Sequence, residues 1–421
     1  MAIKTIKEYY PLDWTESSFK DLFEFEGGLS ISRANLSDEG ICYLHYGDIH
    51  KSTESFVNVE RDYNLIPKYD TTLEEVKEKY LLREGDIVFA DASEDYAGIG
   101  KSVVVINPQE LPFISGLHTI VAKDKTNKLD NGYKRFFLTD WNIRKQLMVM
   151  ATGISVYGLS KTNLEKIRVV LPPKEEQQKI ASILSTWDKA IELKEKLIEQ
   201  KKEQKKGLMQ KLLTGEVRLP GFAGRWQQVR LGNLTKLQGG YAFKSAEFVQ
   251  QGIPIIRISN IDPEIIETNQ DFVYYDEIGI SDSFKVNFGD ILIAMSGATT
   301  GKVGLYKKRE IAYLNQRVGK FVNLDKSKLD YSFLYHLIMS SMFKLQLKEE
   351  LATGAQPNIS SRQIENFKFK IPSLDEQKKI SKTLNQIDRS INLQEKEIVY
   401  LKQQKQGLMQ LLLTGKVRVK V

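Results

Sequence analysis

The chain has 421 residues, of which 41% are apolar and 27% charged. That is room for two to four domains of about 100–200 residues, and it excludes disorder as the main state. No apolar run approaches the roughly 18 residues of a membrane span, and the opening MAIKTIKEYYPLDW lacks the apolar core of a signal peptide. A cytoplasmic location without membrane association is expected. The one cysteine, Cys42, excludes an internal disulfide framework. With 61 Lys and Arg against 54 Asp and Glu, the net charge of +7 is compatible with a polyanionic partner but does not require one.

In chain order, residues 1–170 alternate short β-rich runs with Gly and Pro turns, as at 86–90 and 102–106, and carry a helical pattern over 133–150. A long helical segment follows at 171–216. Residues 217–370 repeat the globular pattern, with β-rich runs at 253–258 and 290–294 and a helical pattern over 332–351, and a second long helix occupies 371–421. The fold class is α+β.

Residues 171–218 superpose on 371–418 with 25 of 48 positions identical, where chance gives roughly 3. Fainter matches extend upstream. Trp14 and Trp226, and the pairs Gly27-Gly28 and Gly239-Gly240, lie 212 apart. The Gly-Asp-Ile strings at 85 and 289 lie 204 apart, and the Ala-Thr-Gly strings at 151 and 352 lie 201 apart. The chain is a tandem duplication whose helices stayed alike while the globular parts diverged. The shrinking offset places about 12 extra residues of the first copy in loops before its helix.

Each helical segment starts after a proline with acidic residues in its first turn, Glu175-Glu176 and Asp375-Glu376, as suits a helix N-terminus. Ile180, Leu184, Trp187, Ile191 and Ile198 share one heptad frame with Leu208 and Leu212. Ile380, Leu384, Ile387, Ile391 and Ile398 do the same with Leu401, Leu408 and Leu412. The pattern predicts two coiled-coil helices, each about 60 Å long, pairing antiparallel about a pseudo-twofold axis and separating the two globular domains. Packing of each helix on its own domain or on another chain is the alternative. Gly207 and Gly407 interrupt the pattern, as a close approach or a kink would require, and Gly215 and Gly415 end it.

Several chemical motifs fail on spacing. Gly98 to Ser102 lacks the earlier glycine of a phosphate loop, and Gly297 to Lys302 is one residue short. Both read as hairpins. Cys42, His45 and His50 lack a fourth zinc ligand, so no metal site is expected. No metalloprotease or nucleophile-elbow motif occurs, and no catalytic residue is assigned. Trp14 and Trp226 read as domain-start core anchors. Polar and basic side chains on expected loops remain as candidate DNA contacts. They are Arg33, His50, Lys51, Lys101, His118, Ser155, Tyr157 and Lys161 in the first half. The second half offers Lys244, Ser245, Arg257, Thr299, Thr300, Lys302, Asn315, Gln316, Arg317, Gln356 and Asn358. Arg and Lys can bond guanine O6 and N7, and Asn and Gln can pair with adenine.

The segments ATGISVYGLSKTNLEKIRVVLPPKEEQQKIASIL and ATGAQPNISSRQIENFKFKIPSLDEQKKISKTL, each followed by a heptad helix ending in GLMQ and LLTG, resemble specificity subunits of type I restriction–modification enzymes. The resemblance spans the whole chain. It implies two target-recognition domains, 1–170 and 217–370, each reading half of a bipartite, asymmetric site in double-stranded DNA, and spacer helices that dock two modification (methyltransferase) subunits. It implies a non-catalytic chain, with S-adenosylmethionine, ATP and Mg carried by those subunits and by the restriction motor–nuclease subunits. The segment Asn315-Gln316-Arg317, aligned with Gly116-Leu117-His118, and the Ala-Thr-Gly loops are the leading positions for base contact. A subunit of a methylation-only or fused restriction system, and a coiled-coil scaffold with protein-binding heads, are the competing readings.

Overall fold

The computed structural model describes residues 6–96, 98–153, 156–261, 272–276, 279–352 and 357–420. Contacts divide the chain into two compact units, Met1–Glu195 with Glu397–Val421, and Lys196–Lys396.

In the first unit a five-stranded sheet runs in the order Phe23–Gly27, Thr119–Asp124, Ile87–Ala90, Ser102–Ile106, Phe56–Asn58. The first four strands pair antiparallel, and Phe56–Asn58 adds in parallel to Ser102–Ile106. Ile87 and Phe89 face one core and Val88 and Ala90 the other, so this strand is buried on both sides and reads as a continuous apolar run. The second unit builds a four-stranded sheet in the order Thr235–Gly239, Val318–Asn323, Ile291–Ala294, Val303–Leu305. The offset between copies falls from 212 at Gly28 to 204 at Gly85, so 212 − 204 = 8 extra residues of the first copy lie between these points. That interval holds a helix, Tyr46–Lys51, and the strand Phe56–Asn58.

The two long helices are Lys174–Thr214 and Leu374–Leu413. Their starts explain the repeated Glu-Gln pair. Gln177, 1% exposed, accepts from the Asp130 backbone N–H at 2.9 Å and donates to the Lys128 and Pro172 carbonyls. Gln377 makes the same three bonds to Asp330, Lys328 and Pro372. A buried amide with both ends satisfied fixes the helix on its own domain.

Within each unit the two helices run antiparallel. In the first, Lys405 pairs with Asp188, Lys402 with Glu195 at 2.7 Å, and Lys194 with Glu397. In the second, Lys205 pairs with Asp388 and Lys202 with Glu395 at 2.9 Å. Lys194, Lys205 and Lys405, which fall on heptad positions, thus meet carboxylates on the facing helix. The heptad residues divide into two groups. Ile191, Ile198, Ile391 and Ile398 are buried, while Trp187 and Ile387 are half-buried. Ile180 and Leu184 instead join the first unit's globular core with Phe19, Phe89, Phe136 and Phe137, together with Leu412 and Leu413 of the other helix. Ile380, Leu384, Leu212 and Leu213 do so in the second unit. Both packing alternatives hold, each over part of the helix. Every fully buried leucine contributes about 1.5–3 kcal/mol.

Both helices end in a left-handed glycine, Gly215 (φ +76°) and Gly415 (φ +67°), with the Val217 and Val417 N–H groups returning to the Lys211 and Leu411 carbonyls at 3.2 Å. Gly207 and Gly407 permit no close approach. A Cβ at either would have nothing within 4 Å among the described residues. Of the two tryptophans, Trp14 is 1% exposed and anchors a core, whereas Trp226 is half-buried. Among the described residues no helix is long and apolar enough to cross a membrane.

Candidate nucleic-acid interface

The divergent loops of the first unit converge on one hub. The Tyr43 hydroxyl, fully buried, donates to the Leu29 carbonyl at 2.5 Å and accepts from the Leu117 N–H at 2.7 Å and the Ile31 N–H at 3.1 Å, joining two loops. Gly28 allows this approach, since a Cβ there would lie 1.8 Å from the Gly116 carbonyl oxygen. His45 caps the helix Tyr46–Lys51, its Nδ1 accepting from the Gly47 N–H at 3.1 Å. Burial pushes its pKa down, consistent with that acceptor role.

Around this hub lie the candidate side chains. Exposed Arg33 pairs with Asp48 at 2.9 Å. His50 Nε2 donates to the Ala92 carbonyl at 2.7 Å, and the Lys101 ammonium donates to the His50 carbonyl at 2.6 Å. His118 Nδ1 faces Asp91 Oδ1 at 3.1 Å and its ring meets Tyr46 edge-on at 5.4 Å. Tyr157 meets Tyr96 edge-on at 5.5 Å, and Lys161 lies 3.8 Å from Glu26. Lys51 is exposed. Ser155 lies outside the described residues.

The second unit reaches the same arrangement with other side chains. Gly240 again marks a close approach, with the Asn315 and Leu314 carbonyl oxygens 2.2 Å from a built Cβ. The Tyr241 N–H donates to the Leu314 carbonyl at 2.8 Å, and the Gln316 N–H to the Tyr241 carbonyl at 2.9 Å. The Asn260 side chain accepts from the Arg257 N–H at 2.9 Å. Thr300 Oγ1 lies 2.7 and 2.5 Å from the Gly297 and Pro357 carbonyls. Lys244 pairs with Glu247 at 3.2 Å. Lys302, Gln316, Arg317 and Asn358 are exposed, Asn315 is half-buried, and Lys302 and Arg317 form no ion pair among the described residues. Gln356 lies outside them.

Three backbone bonds recur between the two loop scaffolds. The Asp91 N–H donates to the His118 carbonyl (3.1 Å) and the Leu159 N–H to the Asp91 carbonyl (2.7 Å). The Met295 N–H donates to the Arg317 carbonyl and the Ile359 N–H to the Met295 carbonyl, both at 2.9 Å. Lys101 and Lys302 correspond as well, their carbonyls accepting from Ala90 and Ala294 at 2.9 Å. Both follow left-handed glycines in turns between antiparallel strands, where a phosphate loop would instead lead from a strand into a helix. Cys42 sits on a core strand, where burial pushes its thiol pKa up, and no group of three metal-ligating side chains gathers among the described residues.

Sequence reasoning missed Tyr43, Tyr46 and Asp91. Their contacts to residues 117 and 118 span 27 to 74 residues, so no local motif announces them. It also missed an aromatic cluster beside Gln316, in which Tyr241 packs on Phe243 and Phe284, and Phe243 on Tyr275 and Tyr313.

A duplicated α+β domain with matched loop scaffolds and unlike loop side chains is the arrangement of a two-part recognition protein. The profile described as Type I restriction modification DNA specificity domain matches residues 11–202 and again 224–403, and the chain belongs to this family. It is 32% identical over 317 residues to the type I restriction enzyme MjaVIII specificity subunit of Methanocaldococcus jannaschii, covering 72% of this chain and 74% of that protein. It is 23% identical to the EcoKI specificity subunit of Escherichia coli over 87% of this chain and 83% of that one. The fold is shared with the S subunit of the type I restriction–modification system from M. genitalium, at TM-score 0.54 and 16% identity over 98% of both chains. A chain solved in work on assembly and conformational transition of the type I R-M system gives 0.62 at 16% identity, over 97% of this chain and 99% of that one.

Proposed function

We propose that this chain is the DNA-reading subunit of a type I restriction–modification enzyme, in which each unit reads one half of a bipartite, asymmetric duplex site. The observation that carries this reading is the recurrence of one loop scaffold with different side chains. His118 and Arg317, Asp91 and Met295, and Ala92 and Ser296 occupy matching stations. Equal scaffolds with unequal chemistry suit two different sequences met in the same geometry. The two like helices suit two copies of one partner, a modification subunit, and act as a spacer between the reading domains. Arg33, Lys51, Lys101, Lys161, Lys244 and Lys302 supply backbone attraction, with base edges falling to residues such as His118, Asn315, Gln316 and Arg317.

In this reading the chain is non-catalytic and works in the cytoplasm. S-adenosylmethionine belongs to the modification subunits, and ATP and Mg to the motor–nuclease subunits. The test is methylome sequencing of a methylation-free host expressing this chain with a modification subunit. A split adenine-methylated motif that disappears without this chain is expected. A folded complex that leaves no motif would favour a scaffold with protein-binding heads.

A further inference from the structure

We propose that His118 reads a purine edge of the first half-site as a charged imidazolium, and that Asp91 is its positioning residue. The inference rests on the DNA-reading role above and goes further, naming one side chain, its charge state and the class of base edge it takes.

His118 is a non-glycine residue in the left-handed region, φ +55°. Side chains seldom adopt that conformation. It is kept on a loop where the imidazole is half exposed, so burial does not explain it. Two contacts hold the ring. Asp91 Oδ1 lies 3.1 Å from Nδ1, and Tyr46 packs on it edge-on at 5.4 Å. A carboxylate only accepts, so Nδ1 carries the proton that meets it, and Nε2 is left without a partner among the described residues. A protonated Nε2 donates, and in the major groove the acceptors facing such a donor are purine N7 and guanine O6.

Charged groups lie on several sides of the ring. Asp91 is its counter-ion, and a phosphate backbone would add negative potential. Burial pushes the Asp91 carboxyl up, and the neighbouring His118 offsets only part of that rise. The opposing charges face the ring from the helix Tyr46–Lys51 and its approach. His45 is neutral there, Arg33 is tied to Asp48, and Lys51 is exposed. His50 and Lys101 are committed to the Ala92 and His50 carbonyls. In the second unit the same station holds Arg317, a permanent donor, beside the uncharged Met295. One station thus carries an imidazole in one repeat and a guanidinium in the other.

The experiment uses the chain assembled with its modification subunit. Competition binding on duplexes bearing single base-pair changes across the methylome-defined site is run at about pH 6 and about pH 8. Discrimination at one purine position of the first half-site should fall roughly tenfold at the higher pH, and the second half-site should show no such fall. His118→Gln should remove the pH dependence at that position, and Asp91→Asn should move the fall to lower pH. A purely structural Asp91 would leave its midpoint in place. Unchanged discrimination in His118→Gln, or an unmoved midpoint in Asp91→Asn, overturns the proposal while second-half reading persists. Loss of all sequence preference by the unaltered complex would overturn the DNA-reading role itself.

Discussion

Arg418 and Glu176, 242 residues apart, form a two-pronged ion pair in the first unit, with Nε and Nη2 each 2.8 Å from a carboxylate oxygen. Arg218 does the same to Glu376 in the second unit, at 2.6 Å on both prongs. The Arg that follows each long helix therefore docks on the first turn of the other one. Glu176 also accepts the Trp14 indole N–H at 3.1 Å, whereas the Trp226 indole nitrogen is buried without a partner among the described residues.

That difference makes the two clamps unequal. Glu176→Ala orphans a fully buried indole N–H while Arg418 keeps its bonds to Asp13, and the orphaned indole costs about 1–3 kcal/mol. Glu376→Ala carries no such added cost. Hydrogen exchange resolved over the two units should show the larger loss of protection in the first. Equal losses would assign the clamp energy to the arginines alone.

The first unit also contains a buried ion pair. Lys134, 3% exposed, lies 3.0 Å from Asp124. Burial pushes the Asp124 carboxyl up, but the Thr126 N–H and the Lys134 ammonium outweigh it and hold its pKa below the usual 3.8. A lowered folded-state pKa means the stabilisation is fully present above that usual value and is lost as pH falls through the folded one. Asp124→Asn should destabilise the first unit at neutral pH, because the buried Lys134 ammonium would keep only the Gly85 carbonyl and Asn131 Oδ1 as partners. The gap from the unaltered chain should close below pH 3.8 in urea unfolding followed across pH.

Gly207 and Gly407 have open space where a Cβ would go. Alanine at either should stabilise the free chain by about 0.5–1 kcal/mol, since glycine inside a helix carries that penalty. Denaturation midpoints of the single and double variants measure it. A destabilised variant would show that the helix needs the glycine's freedom there.

Arg317→Ala should relax one base position of the second half-site by about 1–3 kcal/mol and leave the first half-site untouched. Lys302→Ala should weaken all duplexes alike and lower the salt slope by about 1. Duplex competition at several salt concentrations separates the two behaviours.

Lengthening both long helices by one heptad should change the preferred distance between half-sites without altering their sequences. Methylome sequencing reads both quantities together. Changed bases at unchanged spacing would remove the helices from the role of ruler.

The duplication, the two long helices and the glycine ends were legible in the sequence, because each leaves a local or periodic trace. Heptad spacing reports that Ile180 and Ile198 share a stripe. It does not report that the first meets the globular core and the second lies beyond it, because both environments are apolar. Loop positions such as His118 and Arg317 were reachable through alignment of the copies. Asp91 and Tyr46 were not, since what gathers them is the strand order, and their residue types are ordinary for a surface. Glu176 and Arg418 were visible as repeated letters, yet only the antiparallel run of the helices shows which Glu meets which Arg.

The burial of Leu412 and Leu413 beside Ile180 and Leu184 has a consequence for synthesis. A chain emerging from the ribosome has its first recognition domain translated by residue 195, but that domain's core still lacks two of its leucines. They arrive only after the whole second unit has been made. The second domain, which already has Leu212 and Leu213 before its own strands appear, can close as it is translated. The nascent first domain must wait, with an apolar seam exposed, for about 200 further residues at roughly 5–20 per second.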